Sequence, residues 1–145
     1  MGWTDVDFVG NDAAYGQAIA NAESGAAEGY HVFTHLNRIY ADSDISPEVG
    51  AWYDEYVEKF GSEPNAGAME AWRAADLTVL ALERAGRNLT RDRFVAALES
   101  ITDYTDMWGN RVSFGPDDHK GVTDSNLAQV QDRRWVLVGK SIRFD

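Results

Sequence analysis

Asp54-Glu-Tyr-Val-Glu-Lys-Phe-Gly-Ser-Glu-Pro-Asn-Ala-Gly-Ala-Met-Glu-Ala-Trp-Arg-Ala-Ala-Asp-Leu-Thr-Val-Leu-Ala-Leu-Glu-Arg-Ala-Gly86 decides the fold class. An amphipathic helix ends at Phe60-Gly61, a turn bearing Pro64 follows, and a second helix runs from about Ala66 to a stop at Gly86. Upstream, Ser46-Pro47 supplies an N-cap with proline at the first helical position. From there Val49, Trp52, Tyr53, Tyr56, Val57 and Phe60 recur at helical spacing and form one apolar face. The second helix carries Met69, Trp72, Ala75, Leu77, Val79, Leu80 and Leu82, apolar on nearly all sides toward its end. That pattern predicts burial between other elements.

Outward from this pair, the N-terminal side reads as strand, helix, strand. Val6, Phe8 and Val9 suggest a short buried strand, Gly10-Asn11-Asp12 a turn at its C-terminal end, and Ala13 to Ser24 a weakly patterned helical stretch. A second strand is expected within Ala26 to Thr34, introduced by Gly29, and Leu36 to Ser43 is polar and loop-like. On the C-terminal side Thr90 can cap a third helix holding Phe94, Val95, Leu98 and Ile101. Val112-Ser-Phe then reads as a strand before a polar turn ending at Gly121. Asn126 to Val138 forms a hairpin joined at Gln131-Asp-Arg-Arg134. The order of elements gives an α/β protein.

Composition excludes several classes of function. The 145 residues, 44% hydrophobic and 12% aromatic, suffice for one sizeable core. A net charge of -11 argues against nucleic acid, because neutralising phosphates requires clustered Lys and Arg. There is no apolar run of about 18 residues. Cysteine is absent, which removes disulfides and thiol chemistry. The N-terminal Met1-Gly-Trp-Thr-Asp-Val-Asp-Phe8 lacks a signal-peptide pattern, so any export signal is expected upstream.

Catalytic and metal patterns are weak. His31 and His35 are four apart, but the intervening residues read as strand and no Cys or third clustered His accompanies them. Asp103 and Asp106 resemble a carboxylate pair only in spacing. His119 is expected in solvent. Asn88-Leu-Thr90 fits the glycosylation pattern, although a capping role for Thr90 explains it without sugar. Neither a Gly-rich phosphate loop nor a Gly-x-Ser-x-Gly elbow occurs.

Eight pieces in order carry a resemblance: Phe8-Val-Gly-Asn-Asp12, Ala26-Ala-Glu-Gly29, Ser46-Pro-Glu-Val49, Lys59-Phe-Gly-Ser-Glu-Pro64, Ala81-Leu-Glu-Arg-Ala-Gly86, Arg93-Phe-Val-Ala-Ala-Leu98, Val112-Ser-Phe-Gly115 and Ala128-Gln-Val-Gln131. Together they resemble the later, C-terminal part of type I periplasmic solute-binding proteins of ABC transporters, in the branched-chain amino acid and amide group. The resemblance implies a partial two-lobed fold with helices packed on a mainly parallel sheet. It places residues 1–34 at the end of the C-terminal lobe, 35–46 in a hinge crossing, 47–117 in the N-terminal lobe and 118–145 in a returning hairpin. It also implies that roughly the first half of a full-length receptor is missing.

By that resemblance the chain is an extracytoplasmic, periplasmic solute-binding component of an ABC importer, not an enzyme, with no cofactor and no metal. Its partners would be a small-molecule ligand, namely an amino acid, an amide or another small polar or amphiphilic molecule, and the permease subunits. A ligand-sensing domain of a receptor or regulator with the same fold is the alternative, and an unrelated α/β enzyme a third. In the family, an acid shortly after a strand ending in Phe-x-Gly contacts the ligand's amine, and Asp12 holds the matching position with Asn11 beside it. A turn or helix-cap role accounts for Asp12 equally. Family members often have Gly next, where this chain has Ala13. Tyr15 either walls the pocket or packs on the first helix. Gly67 stands where many relatives carry an aromatic ring, which leaves room that Met69 and Trp72 can fill, unless both belong to the core. Apolar faces left uncovered, at Trp52, Tyr56, Phe60 and Leu80, predict self-association of the chain as a homodimer.

Overall fold

The computed structural model describes residues 6–142. They divide between two compact units, one drawn from Met1–Tyr40 and Asp124–Asp145, the other from Ala41–Thr123.

The first unit is built on a four-stranded sheet. β1 (Val9–Gly10) runs parallel to β2 (His31–Thr34), which pairs antiparallel with β5 (Ser125–Gln131), itself the partner of β6 (Arg134–Ile142) in a hairpin. The protein is α/β as expected. Its sheet is mixed among the described residues, because the returning hairpin adds two antiparallel pairings to the one parallel pairing. Alternation along β2 sends Val32 and Thr34 inward, both essentially inaccessible. Across the ladder Val32 faces Ala128, and Ala128, Val130 and Trp135 complete the buried layer. The hairpin turns at Asp132-Arg133, both in the left-handed region at φ 50 and 62, the backbone twist a two-residue hairpin requires.

The helical stretch expected from Ala13 to Ser24 is broken. A single 3-10 turn covers Asp12–Ala14, and α1 spans only Gln17–Ala20. Gly16 interrupts the run in extended conformation, ψ 142, where its carbonyl accepts the Trp135 indole N–H at 3.1 Å. Tyr15, just before it, is drawn into the core against the same indole, with ring centroids 5.1 Å apart. The Ala-rich stretch thus yields its regular hydrogen bonds to tertiary packing. The second strand likewise starts late, at His31, because Gly29 sits at φ 81 in a turn.

The second unit holds three helices whose starts follow the sequence signals; the third stops at Glu99, short of the Ile101 expected in it. Ser46 caps α2 (Pro47–Phe60) through the Val49 N–H, and Gly61 closes it at φ 66. Asn65 caps α3 (Ala66–Ala85) through Ala68 N–H at 2.9 Å, and Thr90 caps α4 (Arg91–Glu99) through Arg93 N–H at 3.2 Å. Leu77 and Ala81 of α3 pack with Ala97, Ile101 and Val112 in a small core. Val112 belongs to β4 (Arg111–Val112), which pairs antiparallel with β3 (Tyr104–Thr105), a strand the sequence pattern does not announce. Burial of α3 on all sides is not observed. One stripe is buried, while Trp72, Val79 and Leu82 are 46%, 53% and 41% exposed.

Candidate functional site

Parallel pairing of β1 with β2 brings the C-terminal ends of both strands side by side, the position at which open α/β sheets present ligand-binding loops. The turn after β1 supplies Asn11 and Asp12; the loop after β2 supplies His35. Asn11, not Asp12, acts as the cap: its Oδ1 accepts the Ala13 N–H at 3.2 Å. Asp12 is therefore not needed to start the 3-10 turn. Its Oδ2 lies 3.9 Å from His35 Nδ1, with both side chains about one-third exposed. A carboxylate so placed can accept hydrogen bonds or face a cation.

Tyr15 closes the inner side of this loop cluster. Only 3% of it is exposed, and its hydroxyl oxygen accepts the Arg38 backbone N–H at 2.9 Å. Burial pushes the phenol up to about 12, against the opposing effect of that N–H donor. The ring is thus a neutral, fixed wall of the core. Gly67 and Met69 belong to the second unit: Gly67 lies in the first turn of α3, where a Cβ would approach Asn65 Oδ1 to 3.3 Å, and Met69 is buried. The structure brings Asn11, Asp12 and Tyr15 together, and gives Asp12 a neighbour in His35 that spacing along the chain does not reveal. Arg38 was also not singled out by the sequence. It is 8% exposed, its Nε lacks a hydrogen-bond partner, and its guanidinium carbon stands 5.7 Å from the Tyr40 ring centroid.

Other sequence candidates have separate partners. Asp103 pairs with Arg111, whereas Asp106 pairs with Arg73 and accepts the N–H groups of Trp108 and Asn110, so the two acids do not form a shared dyad. His119 is mostly exposed, with Nε2 3.1 Å from Glu99 Oε1. His31 lies on β2 and its Nδ1 is buried without a hydrogen-bond partner.

The family described as periplasmic binding protein matches residues 1–134. The chain belongs to the periplasmic binding protein family. Solved structures agree with that placement in fold. A fatty acid ABC transporter substrate-binding protein from Thermomonospora curvata aligns over 96% of this chain and 37% of its own length, with TM-score 0.76 and 22% identity. A branched-chain amino acid ABC transporter protein from Thermus thermophilus, with bound valine, aligns over 96% and 40%, with TM-score 0.74 and 18% identity. A leucine-binding protein from Thermotoga maritima aligns over 89% and 35%, with TM-score 0.68 and 19% identity. The chain therefore spans 35–40% of the length of these periplasmic binding proteins. Identities at this level establish a shared fold alone. The comparison with curated proteins returned no match. Among the described residues, no helix is long and apolar enough to cross a membrane.

Proposed function

We infer that this chain contributes to an extracytoplasmic solute-binding protein that captures a small polar or amphiphilic molecule for an ABC importer. The observation that carries this reading is the family match over residues 1–134. The solved relatives include proteins holding valine and leucine, and the preferred ligand here is accordingly a branched-chain or other amino acid, or an amide. Recognition in such a protein makes no bond; closure around the ligand excludes water and presents the closed form to the permease.

Within this reading Asp12 holds the ligand's ammonium group. Asn11 already meets the capping need, which leaves the Asp12 carboxylate available at the strand ends. Tyr15, buried and hydrogen-bonded to the Arg38 backbone N–H, holds the loop that presents Asn11 and Asp12. The test uses the full-length product of the gene, with calorimetry against a panel of amino acids and amides. Asp12→Ala is expected to cost about 2–5 kcal/mol of binding, because the ligand's cation loses its partner in a desolvated site. Asp12→Asn should fall between. A loss below tenfold with the fold intact would refute the ammonium role, and no binding of any panel member by the unaltered protein would refute the ligand class. A ligand-sensing domain of the same fold predicts the same binding without stimulation of a cognate ATPase, which separates the two readings.

A further inference from the structure

The second unit contains a cavity of about 400 Å³ that the reading above does not use. Its walls come from three places in the chain: Glu48, Trp52 and Glu55 on α2, Trp72 and Asp76 on α3, and Tyr104 on β3. Spacings of four and three on α2, and of four on α3, align these side chains on the facing stripes of the two helices. The Trp52 and Trp72 rings meet edge-to-face, with centroids 5.9 Å apart and planes at 65°, and make an aromatic corner. Trp52 is held from another side by Trp108 at 4.7 Å, so this wall is rigid. Tyr104 donates its hydroxyl to Asp76 Oδ2 at 2.5 Å, which fixes both groups at the cavity's edge. That bond, with the negative charge behind it, raises the phenol to about 12, so the ring stays a neutral aromatic surface at physiological pH.

The charge of the lining is one-sided. Four acidic residues, Glu48, Glu55, Asp76 and Asp106, line this space, and among the described residues neither Lys nor Arg does. Asp106 is accounted for by Arg73 and by the N–H donors of its own loop. Lys59, one turn beyond Glu55, has its ammonium 5.7 Å from the Phe60 ring centroid instead. Carboxylates alone would suit a hydrated metal ion, which takes oxygen ligands and gains nothing from indoles. Indoles alone would suit a neutral apolar molecule. Both together, around a volume within the usual range for small-molecule sites, suit a cation that carries alkyl groups.

The geometry points to a binding site for a small alkylated ammonium ion in the second unit, with its methyl or methylene groups against Trp52 and Trp72 and its charge facing Asp76 and the α2 glutamates. The probes are choline, its neutral isostere 3,3-dimethylbutan-1-ol, and Mg²⁺, each titrated into the 145-residue chain at constant ionic strength while tryptophan emission and heat are followed. Choline is expected to bind at least about tenfold more tightly than the neutral alcohol, since only the cation gains from the carboxylates and the ring faces. Trp72→Ala and Asp76→Asn should each weaken choline about three- to tenfold. Trp72 is half exposed, so its removal leaves the buried stripe of α3 in place, and circular dichroism confirms that the fold survives. Equal binding of choline and the alcohol overturns the proposal. So does choline binding that is indifferent to Trp72→Ala, binding of Mg²⁺ without choline, or no response to choline at tens of millimolar.

Discussion

Asp106→Asn and Arg73→Met, made singly and together, probe a buried charge pair that ties the loop after β3 to α3. Arg73 Nη1 lies 3.6 Å from Asp106 Oδ2, with the two side chains 8% and 2% exposed. At an effective dielectric constant of about 20 the attraction at that distance is about 4–5 kcal/mol. Most of it offsets the cost of taking both ions out of water, so the pair contributes little net stability against an apolar replacement. Breaking it from one side is different. Asp106→Asn keeps an oxygen for the Trp108 and Asn110 N–H donors, now at 3.0 and 2.7 Å, but leaves the guanidinium buried and unpaired. The expected loss is about 3 kcal/mol, near the lower end for a broken buried pair. Arg73→Met leaves the carboxylate with its backbone donors and should cost about 2–3 kcal/mol.

The double variant carries the decisive information. With neither charge present, the loss should fall to about 2–3 kcal/mol instead of the sum of about 5–6, a coupling of about 3 kcal/mol. Urea unfolding followed by circular dichroism at 222 nm reports on this unit, because α2, α3 and α4 all belong to it. Tryptophan emission gives a second readout through Trp52, Trp72 and Trp108. Additivity of the two single variants within about 0.5 kcal/mol would refute the argument, as would an Asp106→Asn loss below about 1 kcal/mol.

Two further outcomes follow from local geometry. The ordinary tyrosine pKa of 10.0 is raised to about 12 at Tyr15, so the folded state favours the protonated phenol; stability is fully present below pH 10 and declines as pH rises from about 10 to 12, by up to about 3 kcal/mol. Absorbance at 295 nm should show Tyr15 titrating late in the folded protein, and Tyr15→Phe should remove part of the alkaline loss; an unchanged alkaline profile in that variant would contradict the assignment. Thr90→Ala should cost about 1 kcal/mol by leaving the Arg93 N–H without its cap, while Thr90→Ser should cost under about 0.5 kcal/mol, both read from thermal unfolding of the helical signal.

What the sequence discloses here depends on how far apart the interacting groups lie. The starts of α2 and α4 and the ends of α2 and α3 were legible because their signals are local: Ser46 and Thr90 reach a backbone N–H three residues on, and Gly61 and Gly86 adopt the positive φ that ends a helix. By contrast, α4 has no such stop and ends at Glu99, short of the Ile101 expected in it. The hairpin at Asp132-Arg133 was legible for the same reason. The run after Asp12 was not, since what breaks it is the docking of Tyr15 and Gly16 against Trp135, about 120 residues away in sequence. β3 is two residues long, too short for an alternating pattern, and is defined by Arg111 and Val112 across a loop.

The same distinction governs the candidate site. Asp12 was singled out through the resemblance of Phe8-Val-Gly-Asn-Asp12 to a family motif, and its turn or cap alternative stood on equal terms. The hydrogen bond from Ala13 N–H to Asn11 Oδ1 assigns the capping to Asn11, an outcome that neighbouring Asn and Asp residues leave undecided in a sequence. The approach of His35 to Asp12 arises from parallel pairing of Val9 with His31 and Gly10 with Val32, which sets the two strand ends beside each other across 23 residues. No spacing rule encodes that contact. The aromatic corner is more distant still: Trp52 and Trp72 sit on different helices, and Tyr104 joins them only after β3 pairs with β4. A helical aromatic read alone is most simply core, and Trp52 is indeed 6% exposed; Trp72, one packing partner away, remains 46% exposed. Their different exposure, on facing stripes of two helices with Asp76 hydrogen-bonded to Tyr104 at the cavity's edge, is what turns two core-like residues into the wall of a cavity.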